Sequence, residues 1–178
     1  MSFKKNKYVV IKQAINKDLA LFLYNYFHMK RQVLDTCRSA RYISPYETLL
    51  GEYEGADSQI PHTYSSYSDI AMETLMLKCQ PIMEKTTELK LYPAYTYARI
   101  YKKGDILKRH KDRFSCEIST TMNLGGDDWP IYLEPSGKIN KKGIKVDLKP
   151  GDMLVYSGCE LEHWREKFKG KDCAQVFL

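Results

Sequence analysis

Two of the four histidines stand where they could share a metal ion with a carboxylate. His110 and Asp112 flank one residue in the run Lys108-Arg109-His110-Lys111-Asp112. In extended backbone, residues i and i+2 point to the same side, so both side chains can face one cavity. A third donor is needed. His163 provides it at the end of the strand expected after the turn Leu148-Lys149-Pro150-Gly151-Asp152. Two imidazoles and one carboxylate on one face of an octahedral iron(II) leave positions open, and those open positions are where chemistry would occur. An HxD triplet is common by chance, and a lone strand histidine usually serves packing. However, His28, in a helical pattern, and His62, in a loop, have no carboxylate two places on. Several strands separate His110 from His163, as a ligand set gathered across a barrel requires.

The elements that must position these residues fall into two halves, 1–90 and 91–178, of what reads as a single domain spanning 1–178. Lys7 to Gln13 has the β-branched content of a strand, and Asn16 is placed to cap a helix carrying Leu19, Leu21, Phe22, Leu23, Tyr26 and Phe27. Residues 41–67 mix Ser, Pro, Gly, Tyr and acidic residues without periodicity and predict a long loop. A second amphipathic helix is expected from Ser68 or Asp69, carrying Ile70, Leu75, Leu77, Ile82 and Met83, with Pro81 kinking or dividing it. Beyond residue 90 the pattern turns to short strands: Ala94 to Tyr101, Cys116 to Leu124, Ile131 to Glu134, Ile144 to Leu148, Met153 to Tyr156 and Cys173 to Leu178. Gly104, Gly125-Gly126, Pro150-Gly151 and Gly158 mark corners. Helices first and then antiparallel strands predict an α+β, mainly β fold with a sandwich or jelly-roll core.

Composition narrows the setting. The 178 residues and 43% hydrophobic content suffice for one full core. The five cysteines are scattered, odd in number and free of CxxC spacing, which argues against a disulfide framework or zinc site and for a reducing compartment. No signal-peptide or membrane-spanning stretch is evident, so the expectation is a soluble, cytoplasmic protein with no membrane partner. A net charge of +6 is a mild bias, and nothing resembles a phosphate-tracking stripe or base-reading module, which argues against nucleic acid.

Read together, Tyr95 to Leu178 resembles the prolyl 4-hydroxylase-like branch of the 2-oxoglutarate- and iron(II)-dependent oxygenases. The likeness is carried by Arg99 to Asp112, Ile118 to Gly126, Trp129 to Pro135, Lys149 to Tyr156, and Glu162-His163. It implies a double-stranded β-helix (jelly roll, cupin-like) core with supporting N-terminal helices. It further implies iron(II) as cofactor, 2-oxoglutarate and dioxygen as co-substrates, release of succinate and carbon dioxide, and ascorbate as a candidate reductant. By the same likeness His110, Asp112 and His163 hold the metal and Tyr101 meets the co-substrate. A small residue in place of Asp112 would open a site for halide, as in related halogenases, so its presence favours hydroxylation.

The distal carboxylate of 2-oxoglutarate needs a cation. The family places one on the last strand, nine or ten residues after the second histidine, where this chain has Asp172 and Cys173. Arg165, on the same side as His163 if the strand continues, is the preferred substitute, with Lys171 as the alternative. Asn123 is a co-substrate candidate or a stabiliser of the Gly125-Gly126 turn. Arg113, Trp164, Tyr64 and Tyr67 are substrate candidates, and the tyrosines and prolines of 41–67 suggest a grip on an extended proline-containing peptide. Peptidyl-proline hydroxylation is thus the first expectation. The alternatives are hydroxylation or demethylation of a small molecule, amino acid or nucleic-acid base, and a non-catalytic jelly-roll binding module. Oligomeric state is left open.

Overall fold

A computed structural model describes residues 2–53, 59–138 and 141–178. After a single helical turn, α1 (Phe3–Asn6), strand β1 (Tyr8–Ile11) leads to the long helix α2 (Lys17–Ser39). Asn16 opens α2 as expected: its side chain accepts a hydrogen bond from the Leu19 amide at 2.8 Å. Asp69 does the same for α3 (Ile70–Thr87), accepting from the Ala71 and Met72 amides. Of the two outcomes expected at Pro81, a kink or a division, the division does not occur: the helix runs through it. The carbonyl that Pro81 leaves unpaired is that of Leu77, an exposed residue, so water can satisfy it. The face of α3 that is buried carries Met72, Leu75, Met76, Cys79 and Met83, while Ile70 and Leu77 are exposed.

The remaining strands are β2 (Ser65–Tyr67), β3 (Tyr97–Lys102), β4 (Leu107–His110), β5 (Ile118–Gly126), β6 (Ile131–Glu134), β7 (Ile144–Val146), β8 (Met153–Ser157), β9 (Glu162–Arg165) and β10 (Asp172–Phe177). They form two antiparallel sheets, β1-β8-β5-β10-β3-β2 and β4-β9-β6-β7. Side-chain alternation gives the larger sheet two apolar faces. Its outer face, including Ile100, Met122, Leu124, Met153, Val155 and Val176, packs with Leu23, Phe27, Leu34, Met72 and Leu75 of the two long helices. Burying side chains of this kind is worth about 1.5–3 kcal/mol each. On its inner face, Leu154 and Tyr156 pack with Ile131, Leu133 and Val146 of the smaller sheet. Two facing sheets with helices on one side make a double-stranded β-helix, the form of jelly roll that the family resemblance implies.

The 41–67 segment is not loop throughout. Glu52 bridges to Ser65, and β2 extends the edge of the larger sheet beside β3. Residues 54–58 of that segment lie outside the described residues. Among the described residues no helix is long and apolar enough to cross a membrane.

Candidate metal site

His163 does not end the strand that follows the Leu148–Asp152 turn. That strand, β8, stops at Ser157, where Glu160 and Leu161 donate back to the Ser157 carbonyl at 3.1 and 2.9 Å. This tight turn carries the chain across to the other sheet, and His163 sits there on β9. Strands β4 and β9 pair antiparallel with His110 opposite His163, their ring centroids 4.2 Å apart. Asp112 follows just beyond β4, its amide donating to the Gly158 carbonyl at 2.9 Å.

The geometry selects which atoms point inward. Nδ1 of His110 lies 2.8 Å from the Lys108 carbonyl, and Nδ1 of His163 lies 3.0 Å from that of Leu161. A carbonyl can only accept, so each Nδ1 carries the proton and each Nε2 offers a lone pair. Oδ1 of Asp112 is 3.7 Å from Nε2 of His110 and 3.4 Å from Nε2 of His163, and the three donor atoms lie within 4.8 Å of one another. The other carboxylate oxygen accepts from Ser119 Oγ at 2.8 Å. Burial, the largest influence, raises the Asp112 pKa, but its contacts with His163, Ser119 and His110 outweigh it and hold the group below the ordinary carboxylate value. A glycine is required behind it: a Cβ on Gly158 would collide with Asp112 Oδ2 and meet the Cys116 carbonyl at 2.6 Å. Two neutral imidazoles and one carboxylate, aimed at a common point and steadied from behind, fit a divalent transition metal such as iron(II).

These groups line a cavity of about 650 Å³, into which Tyr101, Leu107, Ile131 and Tyr156 also project. Arg165 is on the same strand as His163, two residues on, 1% exposed and not among the cavity's lining residues. Its guanidinium donates to the Trp129 carbonyl, to Thr121 Oγ1 at 3.2 Å and to Gln175 Oε1 at 3.3 Å, while Nε has no partner. Every one of those acceptors is neutral, and no described carboxylate pairs with it. Desolvation lowers its pKa, with the Cys173, Tyr101 and Tyr156 side chains acting in the opposite sense. A buried guanidinium that stays charged, with no counter-ion, is a costly arrangement unless an anion completes it. The distal carboxylate of 2-oxoglutarate fits that requirement.

The other expected residues separate cleanly. Tyr101 is buried, lines the cavity and meets the edge of Trp129. Lys171, the other candidate, is exposed, its backbone amide donating to Asp127 Oδ2 at 2.6 Å. Asn123 donates to the Leu148 carbonyl at 2.8 Å, and its backbone carbonyl accepts from Gly151. It therefore braces the 148–152 turn rather than the Gly125-Gly126 turn. Trp164, one residue from His163, points to the opposite face of its strand, stacked on Tyr132 beneath the Arg109 guanidinium, so it cannot shape the cavity mouth. Tyr64 is core: it packs on Phe27 and Tyr53, and its hydroxyl donates to the Leu50 carbonyl. Tyr67 and Arg113 do line the cavity. The expected aromatic grip of 41–67 reduces to Tyr67 among the described residues, since Tyr42 and Tyr46 are exposed away from the cavity. Its place is taken by Tyr92, Tyr95, Tyr97 and Phe114.

Sequence reasoning missed Ser119, Tyr156 and Gln175, and it left open which of the sets Thr120–Met122–Leu124 and Thr121–Asn123 faces inward. Ser119 and Tyr156 are cross-strand partners on β5 and β8, and Tyr156 lays its ring 4.8 Å from His163. Strand alternation alone could have placed Thr121 and Gln175 on the inner face, but not beneath Arg165.

No family model matches the chain, and no curated protein matches it in sequence. Solved structures do. A Pseudomonas putida prolyl-4-hydroxylase aligns at a TM-score of 0.62 and 15% identity over 98% of this chain and 92% of its own. SnoK, a non-heme alpha ketoglutarate-dependent carbocyclase from nogalamycin biosynthesis, aligns at 0.63 and 10% over 98% and 80%. A 2OG-Fe(II) oxygenase family oxidoreductase from Burkholderia pseudomallei aligns at 0.60 and 12% over 98% and 85%. The chain thus has the double-stranded β-helix fold of the 2-oxoglutarate- and iron(II)-dependent oxygenases.

Proposed function

We propose that the protein is a 2-oxoglutarate- and iron(II)-dependent dioxygenase that hydroxylates peptidyl proline. The observation that carries the oxygenase reading is the His110–Asp112–His163 triad on the cavity wall together with Arg165, two residues beyond His163 on the same strand, a buried cation with no carboxylate partner among the described residues. In this reading the triad holds iron(II), and Arg165 receives the distal carboxylate of 2-oxoglutarate, helped by Thr121 and with Tyr101 alongside. Bound iron would couple oxidative decarboxylation of 2-oxoglutarate, with release of succinate and carbon dioxide, to insertion of one oxygen atom into a C–H bond. The chain's own residues do the rest. Ser119 and the space left by Gly158 orient Asp112, the Lys108 and Leu161 carbonyls fix the imidazole tautomers, and Leu107, Ile131 and Tyr156 keep water from the metal face.

Proline as target is supported by the tyrosine-lined mouth, where the Tyr67, Tyr95 and Tyr97 rings, tilted 38–48° to one another, offer aromatic surface for a pyrrolidine. A prolyl-4-hydroxylase is among the proteins that share the fold, but so is a carbocyclase, so the fold does not choose the substrate. All five cysteines are free, which supports a reducing, cytoplasmic setting. The test is anaerobic loading with iron(II), then exposure to oxygen with 2-oxoglutarate, ascorbate and a panel of proline peptides. Iron-dependent succinate that is lost in His110→Ala, with a 16 Da gain on a peptide that disappears when its proline is replaced by alanine, is the expected result. No iron-dependent succinate under any condition would leave a non-catalytic binding module.

A further inference from the structure

The cavity mouth carries unbalanced charge. Arg113 follows directly after the ligand Asp112, is exposed, and lines the cavity. Its guanidinium donates to the Tyr95 hydroxyl at 2.6 Å and lies over that ring, 5.3 Å from the centroid. The tyrosine is itself held, its hydroxyl 3.2 Å from Cys116 Sγ. Tyr95 and Cys116 thereby engage one side of the group, while the exposed remainder of the fork has donors to offer. Among the described residues no carboxylate pairs with Arg113, nor with Lys111 or Lys90, which share the mouth. Glu117 is the only acidic side chain among the described lining residues besides the metal ligand. A guanidinium tethered beside the triad and left without a carboxylate partner among the described residues suits capture of a carboxylate or phosphate.

Three of the mouth's rings are engaged: Tyr67 lies between Tyr95 and Tyr97, with ring centroids at 5.6 and 4.4 Å, and Arg113 and Arg99 donate to the Tyr95 and Tyr97 hydroxyls. Stacking a base requires a free ring face, which here is offered by the exposed Phe114 and Tyr92. The peptide assignment therefore follows from the proposed proline reading, and oligothymidylate is its competitor in the test.

We infer that the primary substrate presents an anionic group to Arg113, which for a proline peptide means an acidic residue beside the target proline. This rests on the proposed oxygenase reading and adds to it a rule for substrate choice.

The experiment uses the full chain loaded anaerobically with manganese(II) and 2-oxoglutarate, with fluorescein-labelled peptides that carry Asp, Asn or Lys beside one proline, read by anisotropy. The Asp peptide should bind about tenfold or more tightly than the Asn peptide, the scale of one charge-assisted hydrogen bond. Arg113→Gln should erase that preference, and Arg113→Glu should invert it toward the Lys peptide, a gain that a misfolded variant could not show. Equal binding of the three peptides, or a preference that survives Arg113→Gln, overturns the inference. Displacement of the peptide by oligothymidylate or by free glutamate, at concentrations matching the peptide's own Kd, overturns the peptide assignment. Iron-dependent decarboxylation of 2-oxoglutarate by the unaltered protein is measured in parallel. Its presence with no acidic preference sinks only this inference, whereas its absence sinks the oxygenase reading.

Discussion

Replacing Arg165 with methionine should leave the ligand-free protein as stable as before, or more so, while nearly abolishing affinity for 2-oxoglutarate. Both halves follow from the same burial. The guanidinium is 1% exposed and its hydrogen-bond partners, the Trp129 carbonyl, Thr121 and Gln175, are all neutral. Removing it strands those acceptors, at about 1 kcal/mol each, but also relieves an uncompensated buried charge, which costs several kcal/mol. The two terms roughly cancel. With 2-oxoglutarate bound the balance reverses, because a buried carboxylate that loses its partner costs about 3–5 kcal/mol, or two to nearly four orders of magnitude in affinity. Thermal melting without ligand, and with manganese(II) and a series of 2-oxoglutarate concentrations, separates the two effects. For the unaltered protein the stabilisation should grow with concentration, reaching about 2.7 kcal/mol at a hundredfold excess over Kd. Arg165→Met should show almost none of it, and Arg165→Lys an intermediate amount. Ligand-induced stabilisation that is the same in Arg165→Met would refute the assignment of this residue as the anchor. A collapse of the variant's ligand-free stability would refute the argument about its uncompensated charge.

Three other outcomes are expected. Gly158→Ala should cut manganese(II) affinity at least about tenfold, as second-sphere changes commonly do, because the new Cβ would press on Asp112 and the Cys116 carbonyl; isothermal titration reads this, and Gly137→Ala, where the added atom meets nothing within 4 Å, is the control. His163→Ala or Asp112→Ala should eliminate that metal binding altogether, and unchanged titration of either variant would place the metal elsewhere. At the other end of the molecule, burial is the largest influence on Asp69 and raises its pKa, but Lys30, Tyr26 and the Met72 amide outweigh it and leave the group below its ordinary value. A carboxylate with a depressed folded-state pKa adds stability above its unfolded pKa and loses it as pH falls through the folded value. Urea unfolding should therefore show a loss below about pH 4 that Asp69→Asn removes, at a cost of about 3 kcal/mol at pH 7. An acid limb identical in the variant would show that Asp69 is not its source.

Local chemistry was readable directly. Asn16 and the Asp69 region announce helix starts because capping is decided by neighbours one turn away. The strands around Ile131 and Met153 announce themselves by β-branched and aromatic content. His110 and Asp112 are legible as a pair for the same reason, since the alternation of an extended chain needs no tertiary information. Joining His163 to them was possible only through the order of the surrounding motifs. The sequence contains no reason for β8 to end at Ser157 and hand the next strand to the opposite sheet, and it is that crossing that brings His163 opposite His110.

What only the tertiary structure decided is which side chains lose their water. Arg165 and Lys171 are equivalent cations along the chain, yet one is enclosed between two sheets and the other is exposed. Tyr64 and Tyr67 are three residues apart, yet one is packed on Phe27 and the other faces the cavity. Residue type fixes what a group can do, and extended-chain alternation fixes which neighbours share a face. Desolvation depends on atoms contributed by strands tens of residues away, and so do the charge of the Arg165 pocket and the place of each tyrosine.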